Sequence, residues 1–132
     1  MCGSESFDFQ QEYDINKIEF ATSTRGYYKN VTVTIHAVQI NEQAYGDEKE
    51  KKVKKKMTSN QWKQFLNALQ NIPLTEIPLL TSPTAKRAFD GARGSTITIT
   101  DNKGETFAHS FDNENPNTKL EPLMQMLIDI QK

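Results

Sequence analysis

The residues with the most distinctive chemistry in this chain are one cysteine and two histidines. Cys2 stands beside the start, followed by Gly3-Ser4-Glu5-Ser6. A thiol placed there has three uses: it carries a lipid, it reacts or dimerises, or it is incidental. A catalytic thiol needs a base held beside it in fixed geometry, and a polar segment at the chain end offers none. A single cysteine also excludes an intramolecular disulfide and any metal site built from several thiolates. His36 falls on the polar-side parity of its segment, and His109 alternates with Phe107 and Phe111. A histidine on an apolar strand face reads as a satisfied core residue. A metal centre would have to gather His36, His109 and acids such as Asp90 or Asp112, and their spacing gives no local support for this. Asp112-Asn113-Glu114-Asn115 carries oxygen ligands suited to Ca²⁺. It lacks the glycine and the distant bidentate glutamate of a calcium loop, so it reads as a solvated loop. H-E-x-x-H, C-x-x-C, G-x-S-x-G and glycine-rich phosphate loops do not occur. The expectation is a chain without catalytic residues, metal ligands or cofactor, and not an enzyme.

Binding surfaces are the remaining candidates. Gly26-Tyr27-Tyr28 sets two aromatics at a turn, and Arg25, Arg87 and Arg93 lie in predicted loops. Exposed tyrosine and arginine are the residue types enriched at binding hot spots. The competing reading is that Tyr27 and Tyr28 close the end of a sheet. Six lysines crowd positions 49 to 56. Lysines on an edge strand deter pairing with other chains; a patch for phosphate, anionic lipid or nucleic acid is the alternative. No aromatic is interleaved there for base stacking, and the formal net charge is -1. A nucleic-acid partner is therefore not expected.

The elements that must position these residues are legible from periodicity. At 132 residues, with 36% hydrophobic and 25% charged residues, the chain can bury one core without staples. Residues 1–15 read as an N-terminal tether, and residues 16–132 as a single α+β domain. Ile18, Phe20 and Thr22 alternate with Glu19, Ala21 and Ser23 as in a half-buried strand. Thr24-Arg25-Gly26 turns the chain. Val31, Val33 and Ile35 alternate, then the apolar parity shifts to Val38 and Ile40, which predicts a long strand with a bulge near Ala37. The lysine-rich run 48–57 reads as an edge strand. Thr58 and Gln61 have capping-box spacing, and Trp62, Phe65, Leu66, Leu69 and Ile72 form a helical stripe ended by Pro73. Trp62 reads as a core plug.

Residues 74–93 make a long irregular connection, with Leu74, Ile77, Leu79 and Leu80 pinning it and one helical turn near 84–89. Ser95 to Phe111 reads as a hairpin around Asp101-Asn102-Lys103-Gly104. A second helix follows, with Thr118 and Glu121 at capping-box spacing and Leu120, Leu123, Met124, Leu127 and Ile130 as its apolar stripe. The expected order is β-β-β-α-β-β-α: an antiparallel sheet of about five strands with two helices on one face.

Three patches carry a resemblance. They are Gly26-Tyr27-Tyr28 before Val31-Thr32-Val33-Thr34-Ile35, Ala88-Phe89-Asp90-Gly91-Ala92 before Thr96-Ile97-Thr98-Ile99, and Phe111-Asp112-Asn113-Glu114-Asn115-Pro116 before the last helix. With Cys2-Gly3-Ser4, the chain resembles small secreted lipoproteins of Bacteroidota over about residues 18 to 130. More distantly, its plan is similar to emfourin-like metalloprotease inhibitors. The resemblance implies lipid attachment at Cys2, a membrane contact through that anchor, and a place in the cell envelope, periplasm or surface. It also implies a protein partner and a non-catalytic binding role, with enzyme inhibition as one form. Two alternatives stay open: a cytoplasmic location, and a small-ligand or metal-binding module on the sheet face.

Overall fold

Strict alternation of apolar and polar residues buries one face of each strand and wets the other. The computed structural model, which describes residues 15–46, 48–70, 72–84 and 92–132, turns that pattern into a mixed α+β fold. Its strands are β1 (Ile15–Thr24), β2 (Tyr27–Thr34), β3 (Ala37–Ala44), β4 (Lys51–Lys56), β5 (Gly94–Asp101) and β6 (Thr106–Asp112). They form one antiparallel sheet in the order β4-β3-β2-β1-β5-β6. The first strand is thus central, with a meander to one side and a hairpin to the other. Across the sheet, Ile40, Val31, Phe20 and Ile97 stand in register on one face. Helices α1 (Ser59–Leu69) and α2 (Glu121–Asp129) cover that face. Trp62, Phe65, Leu66 and Leu69 of α1 join Leu123, Met124 and Leu127 of α2 in the same buried cluster.

The sheet has six strands rather than about five. The predicted long strand is two strands joined by Ile35-His36. No bulge lies at Ala37; Val33 pairs with Val38 across a hairpin. Reversal of the chain, not an inserted residue, shifts the apolar parity. The turn is held by Thr34, whose Oγ1 accepts the N–H of Ala37 at 3.2 Å and of His36 at 3.3 Å. Its two loop residues lack the glycine or asparagine that usually marks such a turn. His36 is exposed there.

Local signals elsewhere match the structure more closely. Asp101 Oδ1 accepts the N–H groups of Lys103 and Glu105, both at 2.9 Å, and Gly104 takes φ +88°. Thr58 and Gln61 make a reciprocal capping box, each bond 3.0 Å. At the second helix the cap is displaced. Asn117, not Thr118, accepts the N–H of Lys119 at 3.0 Å and starts a 3-10 turn, Thr118–Leu120. Pro122 then sits in the first turn of α2, where its missing N–H is harmless.

The connection after α1 begins with a 3-10 segment, Leu74–Leu79, packed against β6. Ile77 is fully buried; Leu74 and Leu80 are partly buried against the core. Leu79 points outward, 78% exposed, and pins nothing. The helical turn expected near 84–89 falls almost wholly outside the described residues.

Candidate functional site

The β1–β2 hairpin turns through Arg25 and Gly26, with Thr24 paired to Tyr27. Because successive side chains on a strand alternate, Tyr27 and Tyr28 part company. Tyr27 lies on the helix-covered face, in line with Thr22's neighbour Lys29 and with Val31. Tyr28 lies on the open face.

Tyr27 enters a polar network at this end of the sheet. Its hydroxyl donates to Glu42 Oε2 at 2.6 Å. Lys29 Nζ stands 3.9 Å from the same carboxylate and donates to Gln131 Oε1 at 2.8 Å, tying β2 to the C-terminal residues. On the β5 side, Arg93 Nε donates to Thr22 Oγ1 at 3.2 Å, and Arg93 Nη2 is 3.6 Å from Glu114. Thr22 and Ser95 hydroxyls are 2.8 Å apart. Ser95 gives its proton to the Asn113 carbonyl at 2.5 Å, so Thr22 must donate to Ser95. The order Arg93, Thr22, Ser95, Asn113 is therefore one directed chain of hydrogen bonds. Asn113 completes it with φ 51° and by accepting the Arg93 N–H at 3.0 Å through Oδ1.

Burial, then the Glu42 hydrogen bond and charge, push the Tyr27 phenol up from 10.0 to about 12; Arg93 opposes this and Glu114 reinforces it. A phenol whose folded pKa is raised binds its proton more tightly in the folded state. Its stabilising contribution is fully present below pH 10.0 and lost as pH climbs toward about 12. In an alkaline titration of phenolate absorbance, Tyr27 is expected to ionise late, toward pH 12. Tyr27→Phe should delete that late component and flatten the loss of stability between those pH values. Identical wild-type and variant curves would refute this assignment.

On the open face, Tyr28 donates to Glu50, and lies 3.4 Å from Gln43 Oε1. The Glu50 hydrogen bond, then burial, raises the Tyr28 phenol as well. A concavity of about 460 Å³ opens at this end, lined among others by Ser23, Gly26, Tyr27, Tyr28 and Tyr45. Tyr45 is 92% exposed, and its ring carbons lie against Gly26. Arg25 sits at the tip, exposed, with no ion pair among the described residues.

The structure therefore brings Tyr27 and Arg93 to the same end of the sheet, in two neighbouring sets of polar contacts, places Arg25 at the tip, and sends Tyr28 to the other face. Cys2 and Arg87 lie outside the described residues. Tyr45 is the residue that sequence reasoning missed. Its only signal is an aromatic beside Gly46 in a loop whose partner turn is not adjacent in sequence.

The histidines do not converge. β1 and β5 stand between the strand bearing His109 and the turn bearing His36. His109 is buried and stacked on Phe111 at 5.3 Å, and its Nε2 accepts the Asn117 N–H at 3.0 Å. Asp112 is fully buried and accepts from the Thr84 hydroxyl; Asp90 lies outside the described residues. Among the described residues no cluster of three or more metal-ligating side chains occurs. The helix-covered sheet face is filled by the core. At the opposite end a second hollow, about 360 Å³, is lined by Ile15, Ile35, Trp62 and Leu66 among others. Trp62 is buried as a core residue and only borders it. No described helix is long and apolar enough to cross a membrane. No family model, curated protein or solved structure matches this chain.

Proposed function

We propose that this chain is a non-catalytic, lipid-anchored protein of the bacterial cell envelope whose domain binds another protein, with inhibition of an enzyme as the outcome of that binding. The observation that carries the binding role is Tyr45. The residue is 92% exposed and lines a concavity together with Tyr27 and Tyr28, next to the turn that carries Arg25. It is also the side-chain chemistry that anchors protein interfaces. Tyr27 and Arg93 supply a rigid base, since their polar groups are held by Glu42, Thr22 and Glu114. Support for the anchor is the sequence Cys2-Gly3-Ser4 alone.

Two measurements test the reading. A photo-crosslinking residue at position 45, in the native host, is expected to trap one defined protein. The same residue at Thr98, on the open face of β5, is expected to trap none. Equal or absent crosslinking at both positions defeats the binding role. Mass analysis of the native N-terminus should find acyl chains on Cys2. An unmodified cysteine in a cytoplasmic fraction defeats the anchor and leaves the cytoplasmic reading.

A further inference from the structure

The edge strand β4 carries a second surface of different character. Lys52, Lys54 and Lys56 alternate along it and share the open face of the sheet, opposite Asn41, Gln39 and Ala37 of β3. Strand geometry sets alternate side chains about 7 Å apart. All three are exposed, as is Lys49 ahead of the strand; Lys51 is exposed too but lies on the other face, opposite Glu42. Lys55 is different: its ammonium is occupied by the carbonyls of Ile130 and Lys132, at 3.3 and 2.6 Å.

The surroundings decide what these lysines can do. The open-face neighbours on β3 are Gln39, Asn41 and Gln43, and on β2 they are Tyr28, Asn30, Thr32 and Thr34. None is acidic. Glu50, just ahead of the strand, pairs with Lys52 at 3.6 Å, and Glu42 stands across from Lys51 on the other face. Glu19, two strands beyond β3, is answered by Lys17 at 3.5 Å. Lys49, Lys51, Lys54 and Lys56 have no ion pair among the described residues. A chain with net charge -1 thus presents one locally positive face, with a floor of neutral amides and hydroxyls. Protecting a sheet edge takes far less than this.

We propose that the β4 face is a docking surface for the anionic headgroups of a membrane. The row lies along the edge of the sheet. No aromatic side chain alternates with the lysines along β4 to stack on bases. Beside a lipid anchor, a basic patch adds a second, electrostatic contact with anionic lipid. In that respect the proposal rests on the anchor reading above, but its test does not need the anchor.

The full chain without lipid is mixed with vesicles of phosphatidylcholine alone, or of phosphatidylcholine with phosphatidylglycerol, and sedimented. Binding is expected only with the anionic lipid and should fall steeply with salt. Lys52→Gln/Lys54→Gln/Lys56→Gln should weaken it by about 100-fold. The control Lys63→Gln/Lys103→Gln/Lys119→Gln removes the same charge elsewhere and should weaken it far less. Thermal melting of both variants should match wild type, since all six side chains are exposed. Equal loss in the two variants, binding to neutral vesicles, or tighter binding to a single-stranded oligonucleotide than to anionic vesicles each overturns the proposal. Failure here leaves acylation of Cys2 to be judged by mass analysis alone.

Discussion

Phe111→Ala is expected to destabilise the domain by about 3–5 kcal/mol, the usual cost of deleting a fully buried aromatic ring. Phe111 is completely shielded from water. Its ring lies 6.2 Å from Phe20 on the central strand and 5.3 Å from His109 on its own strand. The truncation would leave a hollow between β1 and β6 and would strip one side of a buried polar ring. His109 is held in place partly by that contact and partly by the Asn117 N–H, so the entry to α2 should loosen with it. Against a typical domain stability of about 5–15 kcal/mol, the variant should sit near its folding limit. Urea denaturation followed by Trp62 fluorescence measures this; a loss below about 1 kcal/mol would mean the site collapses without penalty and would contradict the packing described.

Gly26→Val should cost about 2 kcal/mol and separate stability from binding. Gly26 takes φ +82°, a conformation that a β-carbon disfavours and a β-branched side chain tolerates least. A β-carbon at this position would also stand 3.0 Å from Tyr45 Cβ, displacing the ring. Gly26→Asn distinguishes the two effects. Asparagine accepts positive φ more readily, so most of the stability should return, while its β-carbon still moves Tyr45. Stability measured by urea and crosslinking measured at position 45 should therefore diverge in the asparagine variant. Parallel recovery of both would show that Tyr45 does not depend on the bare glycine.

Much of this fold was legible because its strands obey a simple period. Ile18 and Phe20, Ile97 and Ile99, and the Asp101–Gly104 turn each announce themselves in consecutive residues. So did the α1 cap and stripe, because Thr58, Gln61, Trp62 and Phe65 lie within two turns of one another. The errors fell where local chemistry is ambiguous. Ile35 and His36 have the composition of a strand and the role of a turn, and only Thr34's hydroxyl, bonding two residues ahead, marks the reversal. Asn117 took the cap from Thr118 because the helix enters through a 3-10 turn that a capping-box pattern does not anticipate.

The candidate site was harder still. Tyr27 and Arg93 are 66 positions apart in sequence, and only the pairing of β1 with both β2 and β5 brings them together. Tyr45 reaches the same place by lying beyond the end of β3, next to a turn formed long before it in the chain.

The placement of β1 has a mechanical consequence. Any pull exerted through residues ahead of Ile15 enters the domain at its middle strand rather than at an edge. β1 is clamped along most of its length by β2 on one flank and β5 on the other. Drawing it out lengthwise would require both ladders to shear together, instead of unzipping one bond at a time. Tension applied there would be met by two ladders at once, so the fold is strongest against force arriving through its first strand.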